Sequence, residues 1–205
     1  METDTVPIGK VKNIVVLASG NGSNLQAIID AIDRGEINAT ISALITNNPD
    51  AYALKRAHKH SVPSILIKLT EYGSRNEYDD ALLEVLVRID PDLVVLAGYM
   101  LILDGRIVRK FRRRIINIHP ALLPSFKGTH SIRDAFEYGV KVTGVTVHFV
   151  DEGMDTGEII AQEAVAVLDG DTLEALEERI HRIEHKLYSQ IIAGLLNGKL
   201  ERKGN

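Results

Sequence analysis

Three short stretches of the 205-residue chain bring together residue types that could do acid–base or oxyanion chemistry. The first is Asn117-Ile118-His119-Pro120. Asn117 and His119 are two apart, so on an extended backbone their side chains point the same way. An amide donor and an imidazole on one side of a cleft can together stabilise a developing oxyanion. The second is the acidic, glycine-bearing turn Asp151-Glu152-Gly153-Met154-Asp155-Thr156-Gly157. Alone it is an ordinary tight loop. A carboxylate from it that reached His119 would fix the ring's tautomer and favour its charged form. The third is Gly20-Asn21-Gly22-Ser23-Asn24, where an apolar run gives way to a helical pattern. Backbone N–H groups at a helix start bind anions, and glycines let that backbone come close. On this motif alone, a phosphate seat and a plain Ser- or Asn-capped turn both stay open.

Several other chemistries are excluded. A dinucleotide fingerprint needs a third glycine where Leu25 stands and an acidic strand end where Asn47 and Asn48 stand. A Walker-type loop needs a Gly-Lys-Ser/Thr that is missing. Cysteine is absent, which removes thiol nucleophiles and thiolate metal sites. His181 and His185 share a helical face but lack the His-Glu-x-x-His pattern and an evident third ligand, so no metal is expected. No Gly-x-Ser-x-Gly elbow is present. What remains is group transfer through a charged tetrahedral intermediate, with no covalent enzyme step.

The elements that must position these residues follow from hydrophobic periodicity. Asn13–Ala18, Thr40–Thr46, Ser64–Ile67, Asp92–Ala97 and Ile115–Ile118 read as short strands, the clearest of them apolar without polar alternation, as in a parallel sheet covered on both faces. Helical spacing links Leu25, Ile28, Ile29 and Ile32, then Ala51–His60, then Asn76–Ile89, with Ser131–Tyr138 a short helix. His119–His130 is a loop rich in Pro, Gly and Ser. Val142–Val150 alternates and predicts a half-exposed antiparallel strand, with Ile159–Val167 a second. Asp171-Thr172 caps a last helix running to about Gly194, with Leu173, Leu176, Ile180, Ile183, Leu187 and Ile191 inward. The expected fold is a single α/β domain. It has a mostly parallel, doubly wound, Rossmann-like sheet, an antiparallel C-terminal strand extension and a long C-terminal helix. It spans residues 12–196, between a flexible extension at 1–11 and a tail at 197–205.

Charge and composition narrow the partners. With Lys plus Arg at 24 against Asp plus Glu at 28, the net charge of −4 lacks the positive field of a dedicated nucleic-acid binder. No run reaches the roughly 18–20 apolar residues of a membrane span. The start is acidic and polar, unlike a signal peptide. A cytoplasmic protein with neither nucleic-acid nor membrane partners is the expectation, and a homodimer stays open.

The motifs also carry a resemblance. Ser-Gly-Asn-Gly-Ser-Asn at 19–24, Leu-Ala-Gly-Tyr-Met at 96–100, Ile-Asn-Ile-His-Pro-Ala-Leu-Leu-Pro at 116–124 and Val-His-Phe-Val-Asp-Glu-Gly-Met-Asp-Thr-Gly-Glu-Ile-Ile-Ala-Gln at 147–162 stand in the order of the folate-dependent formyltransferases. The chain resembles, from about 12 to 196, the branch that acts on glycinamide ribonucleotide. The resemblance implies formyl transfer from 10-formyltetrahydrofolate to that acceptor's amine, with no metal. Asn117 and His119 would stabilise the oxyanion, His119 giving a proton and Asp155 assisting. It implies Gly22, Ser23 and Asn24 on the phosphate and Glu184 on the glycinamide portion. Glu184 alone would read as a solvated helix carboxylate. The folate would lie across Met100, Leu101, Ile102 and Leu103 beside Asn117, with Arg75 meeting its charged tail. Two departures stand out: Leu101 where the family often has a basic residue, and Ala121 where it commonly has Ser. The alternatives are another 10-formyltetrahydrofolate-using formyltransferase or hydrolase, and a nucleotide-binding module without catalysis.

Overall fold

Apolar runs without alternation suit strands covered on both faces, and here they form the middle of one sheet. A computed structural model describes residues 11–200. Strands β1 (Lys12–Leu17), β2 (Ala39–Thr46), β3 (Ser64–Leu66), β4 (Leu93–Leu96) and β5 (Ile115–His119) run parallel. Strands β6 (Val142–Phe149) and β7 (Ile159–Ala166) add antiparallel, giving the order β3-β2-β1-β4-β5-β6-β7. The helices are α1 (Ser23–Asp33), α2 (Tyr52–Lys59), α3 (Arg75–Ile89), α4 (Gly105–Lys110), α5 (Ser131–Tyr138) and α6 (Leu173–Leu196).

Successive residues of a strand face opposite sides, and β1 shows the consequence. Ile14 and Val16 pack in one core with Leu25, Ile28, Leu176, Ile180 and Tyr188 of α1 and α6. Val15 and Leu17 pack in the other with Tyr78, Leu82 and Leu86 of α3 and Ile107 of α4. This is the doubly wound α/β domain read from the sequence. The chain turns one way from β1 to β2 and the other way to β4, so a crevice opens beyond the ends of β1 and β4, where such sheets bind ligands. Ser19 sits at that point. Its N–H donates to the Gly98 carbonyl at 2.9 Å, and its Oγ accepts from Met100 N at 2.9 Å.

The structure departs from the sequence reading in four places. Strand β6 is buried along Thr143–Phe149, not half-exposed. Val145, Val147 and Phe149 face the α6 core, while the segment after β5 covers the other side. Leu123 N donates to Thr146 Oγ1 (3.1 Å), and Thr146 Oγ1 to the Ala121 carbonyl (2.7 Å). That segment is thus held through the Ala121 backbone. Helix α4 was not foreseen; Asp104 caps it, its Oδ1 accepting from Arg106 N at 2.8 Å. A 3-10 turn at Leu69–Glu71 was also missed. Helix α3 begins at Arg75 behind a Ser74 cap, one residue earlier than its apolar periodicity suggested. The expected loose segments at 1–11 and 197–205 fall mostly outside the described residues. Among those described, no helix is long and apolar enough to cross a membrane.

Candidate active site

Strand β5 carries Asn117 and His119 on the face opposite Ile116 and Ile118, which are core residues. Antiparallel pairing sets Asn117 against His148 and His119 against Thr146. His148 is the residue the sequence reading passed over. It stands in the stretch 147–162, but only the β5–β6 register shows that it lies beside Asn117. His148 Nδ1 is 2.9 Å from the Phe149 carbonyl and so donates to it. Its Nε2 then accepts an N–H from Asn117 Nδ2 at 3.2 Å, which leaves the amide's second N–H free.

The β6–β7 turn brings Asp155 to this pair. Its backbone has φ 52°, a left-handed conformation that Asp tolerates better than most residues. Oδ2 stands 3.6 Å from His119 Nδ1, and Oδ1 stands 3.6 Å from His148 Nε2. Gly128 N also donates to Oδ2 at 3.0 Å. Burial pushes the Asp155 carboxyl up. The neighbouring His148 and His119 imidazoles and the Gly128 N–H outweigh it, and the carboxyl sits below its ordinary value. His119 is 4% exposed, and its Nε2 donates to the Phe126 carbonyl at 2.8 Å. The arrangement is a carboxylate between two imidazoles, with an amide beside one of them. It can hold positive charge and present hydrogen-bond donors to a developing oxyanion.

The glycine turn lies at the start of α1. Gly22 is the N-cap at φ 73°, with no side-chain cap, so of the two readings left open the Ser- or Asn-capped turn is not formed. The first intrahelical bond is Gln26 N to the Gly22 carbonyl at 3.0 Å. The N–H groups of Ser23 and Asn24 therefore face outward without helical partners. Arg56 of α2 steadies the turn, its Nε donating to the Asn21 carbonyl at 2.9 Å. A Cβ at Gly22 would lie 2.7 Å from Ala53 Cβ and 2.9 Å from Ala53 Cα. Gly22→Ala is expected to weaken binding at this turn and to destabilise the fold by about 1–3 kcal/mol, since both φ and space oppose a side chain. Urea denaturation and titration with a phosphate-bearing ligand measure the two effects.

Helix α6 reaches the turn from the other side. Tyr188 is fully buried, and its O–H is shared between the carbonyls of Leu96 (2.8 Å) and Ile116 (3.1 Å), which docks α6 on the ends of β4 and β5. One turn earlier lies Glu184, 3% exposed. It is not a solvated carboxylate. Its Oε2 accepts from His181 Nδ1 at 2.8 Å and from Asn24 Nδ2 at 3.5 Å. The Asn24 Oδ1 is buried with no partner, an acceptor left open beside the turn. The Glu184 hydrogen bond raises the pKa of His181 against the opposing effect of burial. His181 in the native protein is therefore expected to titrate above its ordinary 6.5, and Glu184→Gln to bring it back to or below that value, in an NMR titration of the imidazole. A raised histidine adds stability that is full below 6.5 and fades as pH rises through the folded value.

The stretch Met100–Leu103 follows Gly98 at the crevice. Met100 and Ile102 are each 58% exposed, Leu103 is buried and Leu101 packs against the α3 core. Arg75 is beside it, with Nε donating to Asp79 Oδ2 (2.8 Å) and Nη2 to the Ile102 carbonyl. Among the described residues, no group of three or more His, Cys, Asp or Glu side chains is placed to hold a metal ion.

Comparison with known proteins gives a consistent result. The sequence profile described as formyl transferase matches residues 12–192. The chain is 42% identical over 186 residues to a phosphoribosylglycinamide formyltransferase of Bacillus subtilis, covering 91% of this chain and 95% of that one. It is 40% identical over 193 residues to the Escherichia coli protein of the same name, covering 94% and 91%. It is also 43% identical to the human trifunctional purine biosynthetic protein adenosine-3, covering 94% of this chain but only 19% of that protein. The crystal structure of glycinamide ribonucleotide transformylase 1 from Symbiobacterium toebii superposes with a TM-score of 0.91 at 45% identity, covering 96% of this chain and 92% of that chain.

Proposed function

The chain belongs to the formyl transferase family, and from that membership we infer that it is a phosphoribosylglycinamide formyltransferase of purine biosynthesis, moving a formyl group from 10-formyltetrahydrofolate to the amine of glycinamide ribonucleotide. The amine lone pair attacks the formyl carbon, and the carbonyl π pair moves onto oxygen. The bond from that carbon to N10 then breaks, and the proton lost by the amine reaches N10. A cytoplasmic setting goes with that pathway. Sedimentation would show whether a second copy pairs with the chain as a homodimer.

The residue assignments rest on one observation, the Asp155 carboxylate 3.6 Å from a ring nitrogen of both His119 and His148. The free N–H of Asn117 donates to the oxyanion, while His148 holds the amide in place. Asp155 passes the proton from amine to N10, directly or through water. His119 Nε2–H is taken by the Phe126 carbonyl. Direct donation from that atom to the formyl oxygen requires the carbonyl to give way, an exchange that Asn117 does not need. Gly22, Ser23 and Asn24 hold the ribonucleotide phosphate through backbone N–H groups. Glu184 and the unpartnered Asn24 Oδ1 take N–H groups of the glycinamide portion. Met100–Leu103 and Asn117 seat the folate.

The deciding experiment follows tetrahydrofolate release from 10-formyltetrahydrofolate with and without glycinamide ribonucleotide. Release only with the acceptor is expected. Release without it would point to a hydrolase, and none in either case to a binding module.

A further inference from the structure

Arg56 is set against the glycine turn by the way α2 docks. Ala53 N donates to the Gly20 carbonyl at 3.1 Å, so α2 starts on the turn, and Arg56 lies three residues on, over the same helix surface. Its guanidinium reaches both sides of the α1 N-cap. Before the cap, Nε donates to the Asn21 carbonyl (2.9 Å) and Nη2 to Asn21 Oδ1 (3.0 Å). After it, Nη1 donates to Gln26 Oε1 (3.4 Å). Gln26 is oriented for this. Its amide nitrogen donates to Asp30 Oδ1 at 2.8 Å and lies 3.0 Å from His60 Nε2, which turns its oxygen to Arg56.

All three acceptors are neutral. Among the described residues, every other arginine whose side chain donates a hydrogen bond has a carboxylate as a partner. Arg56 keeps its full charge and, of its five N–H groups, two with no acceptor among the described residues. For stability alone this charge is misplaced. The start of a helix carries partial positive charge and favours anions, and α1 has no acidic residue in its first turn. Arg56 adds to that field and does not offset it. Ser23, at the start of α1, and Arg56 line one cavity of about 200 Å³, together with Gln26, Ala27, Asp30 and His185. Asp30 is the one carboxylate of that lining, and Gln26 engages it. An external anion at the turn answers both positive fields.

We propose that Arg56 is a specificity-determining residue: its uncompensated charge makes the acceptor site select an acceptor bearing a phosphate monoester over the same acceptor without one, while Gly22, Ser23 and Asn24 supply hydrogen bonds. This rests on the acceptor reading above, and it adds the full charge that backbone donors lack.

The test uses the full chain with saturating 10-formyltetrahydrofolate and two acceptors, glycinamide ribonucleotide and the glycinamide riboside that lacks the phosphate. Wild type is expected to favour the ribonucleotide in kcat/KM by about a hundredfold or more, the scale of two charged hydrogen bonds. Arg56→Gln is expected to cut that preference by about tenfold, the scale of one, through the ribonucleotide KM. Its kcat and its kinetics on the riboside are expected to move far less. Arg56→Lys, which keeps the charge, should keep most of the preference. Salt is the second readout. The ribonucleotide KM of wild type should climb with ionic strength, and that of Arg56→Gln should climb less steeply. Asn21→Ala removes one contact between Arg56 and the turn, leaves the charge, and should follow wild type in both readouts. An unchanged preference or an unchanged salt slope in Arg56→Gln overturns the proposal. So does a loss that Arg56→Lys or Asn21→Ala shares in full, which would assign Arg56 to the shape of the turn alone. Ratios between acceptors within one variant do not depend on the folded fraction. Arg56→Met, which keeps the stem beside the Tyr52 ring, 5.0 Å from the guanidinium, serves if Arg56→Gln does not fold. If wild type formylates both acceptors equally well, the phosphate seat fails and the proposal with it. If it formylates neither, the functional reading itself fails and takes the proposal along.

Discussion

Asn117→Ala is expected to lower kcat by about 10²–10³, the usual consequence of removing one preorganised oxyanion donor, with little change in either KM. Asn117 sits partly exposed on β5, and one amide N–H is committed to His148 at 3.2 Å. The other N–H points to no protein acceptor, and a donor of that kind acts on charge that develops only in the transition state. Its loss therefore falls on kcat and not on ground-state binding. The structural cost is small, about 1 kcal/mol for the lost hydrogen bond, so the variant should remain folded for assay. Removing His119 is a less clean probe. That side chain is buried, bonded to Phe126 and faced by Asp155, so truncation opens a cavity and strands two partners at once. Steady-state kinetics with both substrates saturating settles the matter. A kcat within tenfold of wild type would remove Asn117 from the reaction centre.

How much of this site is legible in the sequence depends on which kind of information each residue carries. Asn117 and His119 could be paired from sequence because a strand's period of two is local. Gly22 could be singled out because glycine between an apolar run and a helical pattern has few roles. His148 could not, because its position beside Asn117 is a matter of strand register, and register is set by pairing between segments about thirty residues apart. Strand β6 was misjudged for a related reason. Its alternation suggested a wet face, but the segment after β5 folds over that face and places Ala121–Leu123 on Thr146. Glu184 shows the limit of helical periodicity: an acidic residue between inward positions reads as solvent-facing, yet α1 and α6 close over it. Helix α4 is only six residues long and lacks a clear apolar stripe, so no periodic signal announced it. The centre of the sheet is legible because β4 and most of β1 are apolar on both faces.

Asp155→Asn keeps the shape of the side chain and removes its charge, which makes it the sharpest test of the carboxylate's part. A fall in kcat of about 10²–10⁴ is expected, the range for loss of a positioned acid–base group. The route from amine to N10 loses its carrier. The same substitution has a signature in stability that does not depend on catalysis. The folded Asp155 carboxyl lies below its ordinary 3.8. A depressed carboxylate contributes stability that is full well above the unfolded value and is lost as pH falls through the folded one. Wild type is therefore expected to lose stability below about pH 4 more steeply than Asp155→Asn, which has no such carboxyl to protonate, while near neutral pH the contribution of this group is flat. Urea midpoints from pH 3 to pH 7 measure the slope. If the acid slopes of the two proteins coincide, the carboxyl titrates alike in the folded and unfolded chain, and the two imidazoles and the Gly128 N–H do not hold its charge. If kcat survives within tenfold, Asp155 only closes the β6–β7 turn, and proton transfer must run through another group.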